Sequence, residues 1–161
     1  MKTIEMKKVM IAVDLDPTAQ KVAEVGYSLA QTMGAEVVLL HVIVDGLYYS
    51  KGNFPIMGYT GFVVSPMLYT PNNEDAKTES QNYLDKIKLH LEDDRISTVI
   101  KEGDASEMIV KTANELMADV VVIGSHSRRW LEEILMGSVT EKVLHHCSIP
   151  LFIVPTQQSK K

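Results

Sequence analysis

The chain alternates two hydrophobic rhythms. Val9-Met10-Ile11-Ala12-Val13, Val37-Val38-Leu39-Leu40-His41-Val42-Ile43, Ile96 to Ile100, Val120 to Ile123 and Leu151-Phe152-Ile153-Val154 are short, rich in β-branched residues and mostly apolar. Near-continuous runs of this kind predict strands buried on both faces, the pattern of a parallel sheet. Between them lie longer stretches with helical spacing. From Thr18 to Met33, the residues Val22, Gly26, Leu29 and Met33 share a stripe, with Ala19, Ala23 and Ala30 beside it, which predicts a helix with one apolar face. Asp16 is placed to cap this helix, Pro17 to open it and Gly34 to end it. A second stripe, Tyr83, Leu84, Ile87 and Leu91, runs toward a helix end near Asp93, and a third, Ile109, Ala113, Leu116 and Met117, precedes the Val120 strand. Strand and helix alternating in this way predict an α/β sheet with right-handed crossovers.

One segment breaks the rhythm. Asp45 to Asn73 holds Gly46, Gly52, Gly58, Gly61, Pro55, Pro66 and Pro71, with Tyr48, Tyr49, Phe54, Tyr59, Phe62 and Tyr69 among them. Gly and Pro at that density oppose a continuous helix or strand, and the aromatics set the stretch apart from ordinary disorder. It reads as a long loop serving as a ligand lid or a flap for a partner, or as one that is merely tolerated.

Composition narrows the class. A length of 161 residues with 45% hydrophobic content falls within the ~100–200 residues of one domain. A net charge of −5 and a pI near 5.5 argue against nonspecific binding to nucleic acid or to anionic membranes. The tail ends on a basic pair, Lys160-Lys161. No apolar run approaches the ~18 residues of a membrane span, and Met1 to Lys8 lacks the pattern of a signal peptide. The single Cys147 cannot form an internal disulfide. The expected location is cytoplasmic.

Chemistry belongs at the strand ends. The first strand closes on Ala12-Val13-Asp14-Leu15-Asp16-Pro17 and the fourth on Gly124-Ser125-His126-Ser127. Open α/β sheets take ligands in the crevice beyond the carboxyl ends of their strands, where strand order reverses. Backbone N–H groups in a Gly/Ser turn or at a helix start can hold phosphate oxygens without a cationic side chain. Gly137-Ser138-Val139-Thr140-Glu141 has that form, with Ser138 as cap or phosphate donor and Glu141 completing a capping box. The same residues also describe an ordinary capped helix.

These residues resemble the universal stress protein family. Its nucleotide-binding members carry Gly, two residues, Gly, nine residues, Gly, then Ser or Thr; this chain carries Gly124, two residues, Ser127, nine residues, Gly137 and Ser138. The likeness extends to the Ala12-Val13-Asp14 strand end, Leu40-His41-Val42-Ile43, Gly103-Asp104 and Ile149-Pro150-Leu151-Phe152-Ile153-Val154-Pro155. It implies a five-stranded parallel sheet of order 3-2-1-4-5 with helices on both faces, Rossmann-like. It also implies homodimers through antiparallel pairing of the last edge strand, Leu151, Phe152, Ile153 and Val154.

The resemblance further implies an adenine nucleotide, ATP with Mg²⁺, as ligand. Adenine would lie beside Ala12 and Val13 and against backbone near Val42, with Asp14 close to ribose or to a phosphate-bound metal. Gly124, Ser125, Ser127, Gly137, Ser138 and Val139 would line the triphosphate, Ser138 foremost among the side chains and Thr140 behind it. Where the family has its second glycine this chain has Ser127. If the loop needs a positive φ there, the serine costs about 1–2 kcal/mol; otherwise its hydroxyl adds a phosphate contact.

The other candidates each have two readings. His126, Arg128 and Arg129 can meet a γ-phosphate or serve as surface residues at a helix start. Trp130 can stack on a base, but with Leu131, Ile134 and Leu135 it reads as packing. His145-His146-Cys147 is adjacent in sequence, and adjacent helical residues do not face one another, so no metal is expected there. Met33, Met108, Met117 and Met136 read as core filler. No catalytic constellation emerges, and the Gly-x4-Gly-Lys-Ser/Thr pattern is absent from the sequence. A bound nucleotide is therefore expected to act as a switch or a slowly hydrolysed ligand in a dimeric regulator or stress-response factor. Two alternatives are an interaction module of the same fold without nucleotide, which Ser127 permits, and a small nucleotide-dependent enzyme.

Overall fold

Five strands, β1 (Lys8–Ala12), β2 (Glu36–Ile43), β3 (Ser97–Glu102), β4 (Val120–Gly124) and β5 (Leu151–Val154), form one all-parallel sheet of order β3-β2-β1-β4-β5. The computed structural model describes residues 3–44, 73–125 and 137–156. Four helices fall within them: α1 (Ala19–Met33), α2 (Asn73–His90), α3 (Ala105–Glu115) and α4 (Ser138–His146). The Asp45 to Asn73 loop, all but its last residue, and the candidates His126, Ser127, Arg128, Arg129 and Trp130 lie outside the described residues.

Side chains alternate across a strand, so β1 divides the core in two. Val9, Ile11 and Val13 join Val22 and Ala23 of α1 and Leu84 and Ile87 of α2 on one face. Met10 and Ala12 join Ile109 and Ala113 of α3 and Val143 of α4 on the other. Parallel strands covered on both faces explain why β1, β2 and β4 read as unbroken apolar runs. α1 rests directly on the sheet at Gly26, where a Cβ would come within 2.8 Å of Ile11 Cδ1 and 3.1 Å of Val122 Cγ1.

Helix ends follow local chemistry. Gly34 closes α1 in the left-handed region (φ 63°), its N–H donating to the Gln31 carbonyl and that of Ala35 to the Ala30 carbonyl. At the other end, α1 starts at Ala19 rather than at Pro17. Asp16 still serves the helix start, because its Oδ1 accepts from the N–H (2.9 Å) and the hydroxyl (2.7 Å) of Thr18. α2 begins well before the Tyr83 stripe. Its first half, Asn73 to Gln81, is polar and carries no apolar period, but i,i+4 bonds run along it, such as Thr78 Oγ1 to the Glu74 carbonyl and Ser80 Oγ to the Ala76 carbonyl. Met117 departs from the expected core role: it sits in the turn after α3 at φ 52° and is 80% exposed.

Two side-chain clamps tie the elements together at the opposite end of the sheet from the crevice. Asp119 Oδ2 accepts from the backbone N–H groups of Lys7 (2.8 Å) and Lys8 (2.9 Å), fixing the start of β1 beside the start of β4. Asp93 takes both guanidinium donors of Arg95, at 2.9 and 2.8 Å, with the Arg95 N–H and the Tyr27 hydroxyl. This joins α1 to the turn before β3. Among the described residues, no helix is long and apolar enough to cross a membrane.

Candidate functional site

The crevice is set by topology. β1 and β4 are neighbours, with Ala12 opposite Ile123, yet the chain leaves β1 for α1 on one face and reaches α4 on the other face after β4. Strand order reverses between them, the point where open parallel sheets leave a cleft. Val13 and Asp14 form one lip, Gly124 and Ser125 the other.

On the β1 lip, Ala12 and Val13 are buried and Asp14 is half-buried. Asp14 Oδ1 accepts from the Asp16 N–H at 3.0 Å, and its second oxygen has no partner among the described residues. Val13 keeps β1 attached to β2: its N–H donates to the Leu40 carbonyl at 2.9 Å, and its carbonyl accepts from His41 Nδ1 at 2.9 Å. Val42, one residue further on, is half-buried at the same end of β2.

On the β4 lip, the chain is locked by its own backbone. The Ser125 N–H donates to the Val154 carbonyl (2.8 Å), the Ser125 carbonyl accepts from the Gly137 N–H (3.2 Å), and Ser125 Oγ accepts from the Thr156 N–H (3.1 Å). Ser125 is therefore a buried tie between β4, β5 and the start of α4. Thr140, only 2% exposed, donates its hydroxyl to the Gly124 carbonyl at 2.9 Å. Its one hydroxyl proton is engaged in holding α4 against the end of β4.

The first turn of α4 carries the most suggestive chemistry. Gly137, not Ser138, is the N-cap, so the expected capping box of Ser138 with Glu141 does not form; Ser138 is the first helical residue and no side chain caps the helix. Gly137 has φ −70° and ψ 156°, a conformation open to any residue. The first intrahelical bond runs from the Glu141 N–H to the Gly137 carbonyl. The N–H groups of Ser138, Val139 and Thr140 consequently have no acceptor among the described residues. Ser138 and Val139 are exposed at this end of the helix. Three free N–H groups with the positive end of a helix dipole form an anion site.

Across the sheet, Asp104 caps α3 through the Glu107 N–H. The Ser106 hydroxyl, then that N–H, hold its carboxyl below the usual range, with Lys142 of α4 adding a smaller pull. No group of His, Cys, Asp and Glu among the described residues is arranged as a metal cluster. Val13, Asp14, Gly124, Ser125 and the α4 start meet at the crevice. His41, to which the sequence alone assigns no role, carried a signal there: it is the one polar side chain in the Val37 to Ile43 run, and a strand covered on both faces buries it.

An open, doubly wound parallel sheet with its crevice at the switch point defines the class of protein. The sequence profile of the universal stress protein family matches residues 5–155, and the chain belongs to that family. It is 30% identical to Universal stress protein MJ0577 of Methanocaldococcus jannaschii over 98% of this chain and 99% of that one. It is 27% identical to Stress response protein NhaX of Bacillus subtilis over 91% and 96%. Among solved structures, MJ0577 superposes with a TM-score of 0.74 at 28% identity, covering 97% of this chain and all (100%) of the other. A universal stress protein in complex with cAMP superposes at 0.64 with 17% identity over 96% and 100%, a likeness of fold.

Proposed function

We propose that this chain is an adenine-nucleotide-binding universal stress protein that takes ATP, with Mg²⁺, in the β1/β4 crevice and acts as a dimeric regulator or stress-response factor. The observation that carries this reading is the uncapped first turn of α4, with the N–H groups of Ser138, Val139 and Thr140 free of protein acceptors among the described residues. Helix starts are normally satisfied by a side-chain cap, and this one is left open beside the strand ends. The backbone at Gly137 is compatible with this reading: its φ does not demand glycine, and a residue without a side chain lets a ligand come close to the backbone. The half-buried Asp14 and the Val42 backbone stand at the other end, fitting a ribose or metal contact and a base contact.

The chain offers ATP orientation rather than rapid chemistry. With no Walker-type lysine in the sequence, turnover is expected to be slow at most. Nucleotide released from freshly denatured protein, identified by mass spectrometry, and calorimetric titration with Mg-ATP, with cAMP in parallel, test the reading. Gly137→Leu is expected to abolish saturable binding while the chain still folds, with an unfolding midpoint lowered because Gly137 is buried. Retained affinity in that variant sinks the assignment of the crevice. A parent protein that releases and binds no adenylate turns the reading to a nucleotide-free interaction module, for which Ser127 in the motif is the departure that speaks.

A further inference from the structure

We propose that His41 is a positioning residue of the crevice: by drawing the Val13 carbonyl out of the line of the ladder it leaves the Val42 N–H unpaired, making that N–H a donor for the ligand. The proposal rests on the nucleotide reading for the ligand and on the ladder for the geometry.

In the β1–β2 ladder, even-numbered N–H groups of β2 point at β1. The Glu36 N–H donates to the Lys7 carbonyl at 2.8 Å, and the register continues to Ala12 opposite Leu40. One step further, a parallel ladder would send the Val42 N–H to the Val13 carbonyl. Half of that step is made, for the Val13 N–H reaches the Leu40 carbonyl at 2.9 Å. The other half is not. The Val13 carbonyl receives His41 Nδ1 instead, at 2.9 Å, and the Val42 N–H has no acceptor among the described residues. An unpaired N–H on a half-buried residue inside a sheet is rare, because most such groups find a partner.

The ring state follows from the acceptor. A carbonyl oxygen only accepts, so Nδ1 carries the proton. This is the one hydrogen bond the His41 ring makes among the described residues, and the side chain is 6% exposed. Its neighbours on the same strand face, Val37 and Leu39, are apolar core residues. Leucine would fill such a place at least as favourably, since an imidazole buried with a single hydrogen bond gains little over an apolar group. The histidine therefore points to the bond it makes. That bond diverts an acceptor, and the diverted ladder opens at the lip that carries Asp14. A backbone N–H exposed there recognises a lone pair, which a purine ring nitrogen supplies.

Asn and Leu at this position separate donor from bulk, because the Asn amide nitrogen occupies the place of Nδ1. In the nucleotide-free parent, amide exchange at Val42 is expected to be faster than at Val38 and Leu40. In His41→Leu nothing holds the Val13 carbonyl out of the ladder, the ladder closes, and Val42 exchange slows by about tenfold or more. Mg-ATP affinity falls by about tenfold in the same variant, a change of about 1.4 kcal/mol, and His41→Asn restores both. A purely structural histidine would lower the unfolding midpoint and leave the folded protein's affinity and its Val42 exchange unchanged, and that result overturns the proposal. If the parent itself binds no Mg-ATP, the nucleotide reading fails, and Val42 exchange still decides whether His41 holds the ladder open.

Discussion

Thr140 illustrates how a single side chain near a ligand crevice can belong to the scaffold. Its hydroxyl bridges to the Gly124 carbonyl at 2.9 Å from a buried position, joining the end of β4 to the first turn of α4 across the residues between. Thr140→Val keeps the shape and removes the donor. It is expected to lower stability by about 1 kcal/mol, read as a lower urea midpoint with an unchanged slope. An unchanged midpoint would mean that the bond adds nothing. Gly26 is the converse case, a missing side chain that sets how closely α1 lies on Ile11 and Val122. Residue chemistry of both kinds was partly legible in the sequence: Gly26 fell on the apolar stripe, and Thr140 was noted beside the helix start. That Ser138 would begin α4 without capping it was not, because Gly137-Ser138 fits either position and only the backbone decides.

At the scale of elements, the joint between α1 and the turn before β3 makes a pH-dependent prediction. The Arg95 guanidinium, foremost, with the Arg95 N–H and the Tyr27 hydroxyl, holds the Asp93 carboxyl well below the usual carboxylate range. Burial, then the Asp93 bond, raises the Tyr27 hydroxyl above its ordinary value. A carboxyl whose folded pKa is depressed stabilises the fold above its unfolded value of ~3.9, and that stabilisation is lost as pH falls below it. Asp93→Asn should therefore be less stable than the parent at pH 7, with the difference shrinking as both are unfolded at progressively lower pH toward 2. A difference that stays constant with pH would remove the charge from the account. Because the Arg95 side chain is 82% exposed, added salt should weaken the effect. The elements themselves were legible where burial imposes a pattern. β1, β2, β4 and β5 appear within a residue or so of their sequence signal, since both faces or one are apolar. β3 extends to Lys101 and Glu102, and α2 reaches back to Asn73, where edge position and solvent remove any hydrophobic period to read.

For the whole molecule, the proposed dimer would pair two copies through Leu151, Phe152, Ile153 and Val154 of β5, the strand that ends the sheet on this side among the described residues. Phe152 is 39% exposed on this edge. Phe152→Lys is expected to shift sedimentation from dimer toward monomer without unfolding the protein, as charged residues on an edge strand oppose pairing; a dimer of unaltered strength would put the contact elsewhere. The sheet has a second edge at β3, and it is defended differently. Glu102 pairs with Lys77 of α2 at 3.0 Å, and Lys101 pairs with Glu115 of α3 at 3.2 Å, so charge flanks this strand from both faces. A sheet with two adhesive edges would add subunits without end and grow into fibres. With ionic guards at one edge, pairing through the other would have a stop: in the proposed dimer the copy that docks first would use up the valence, and the assembly would close at two.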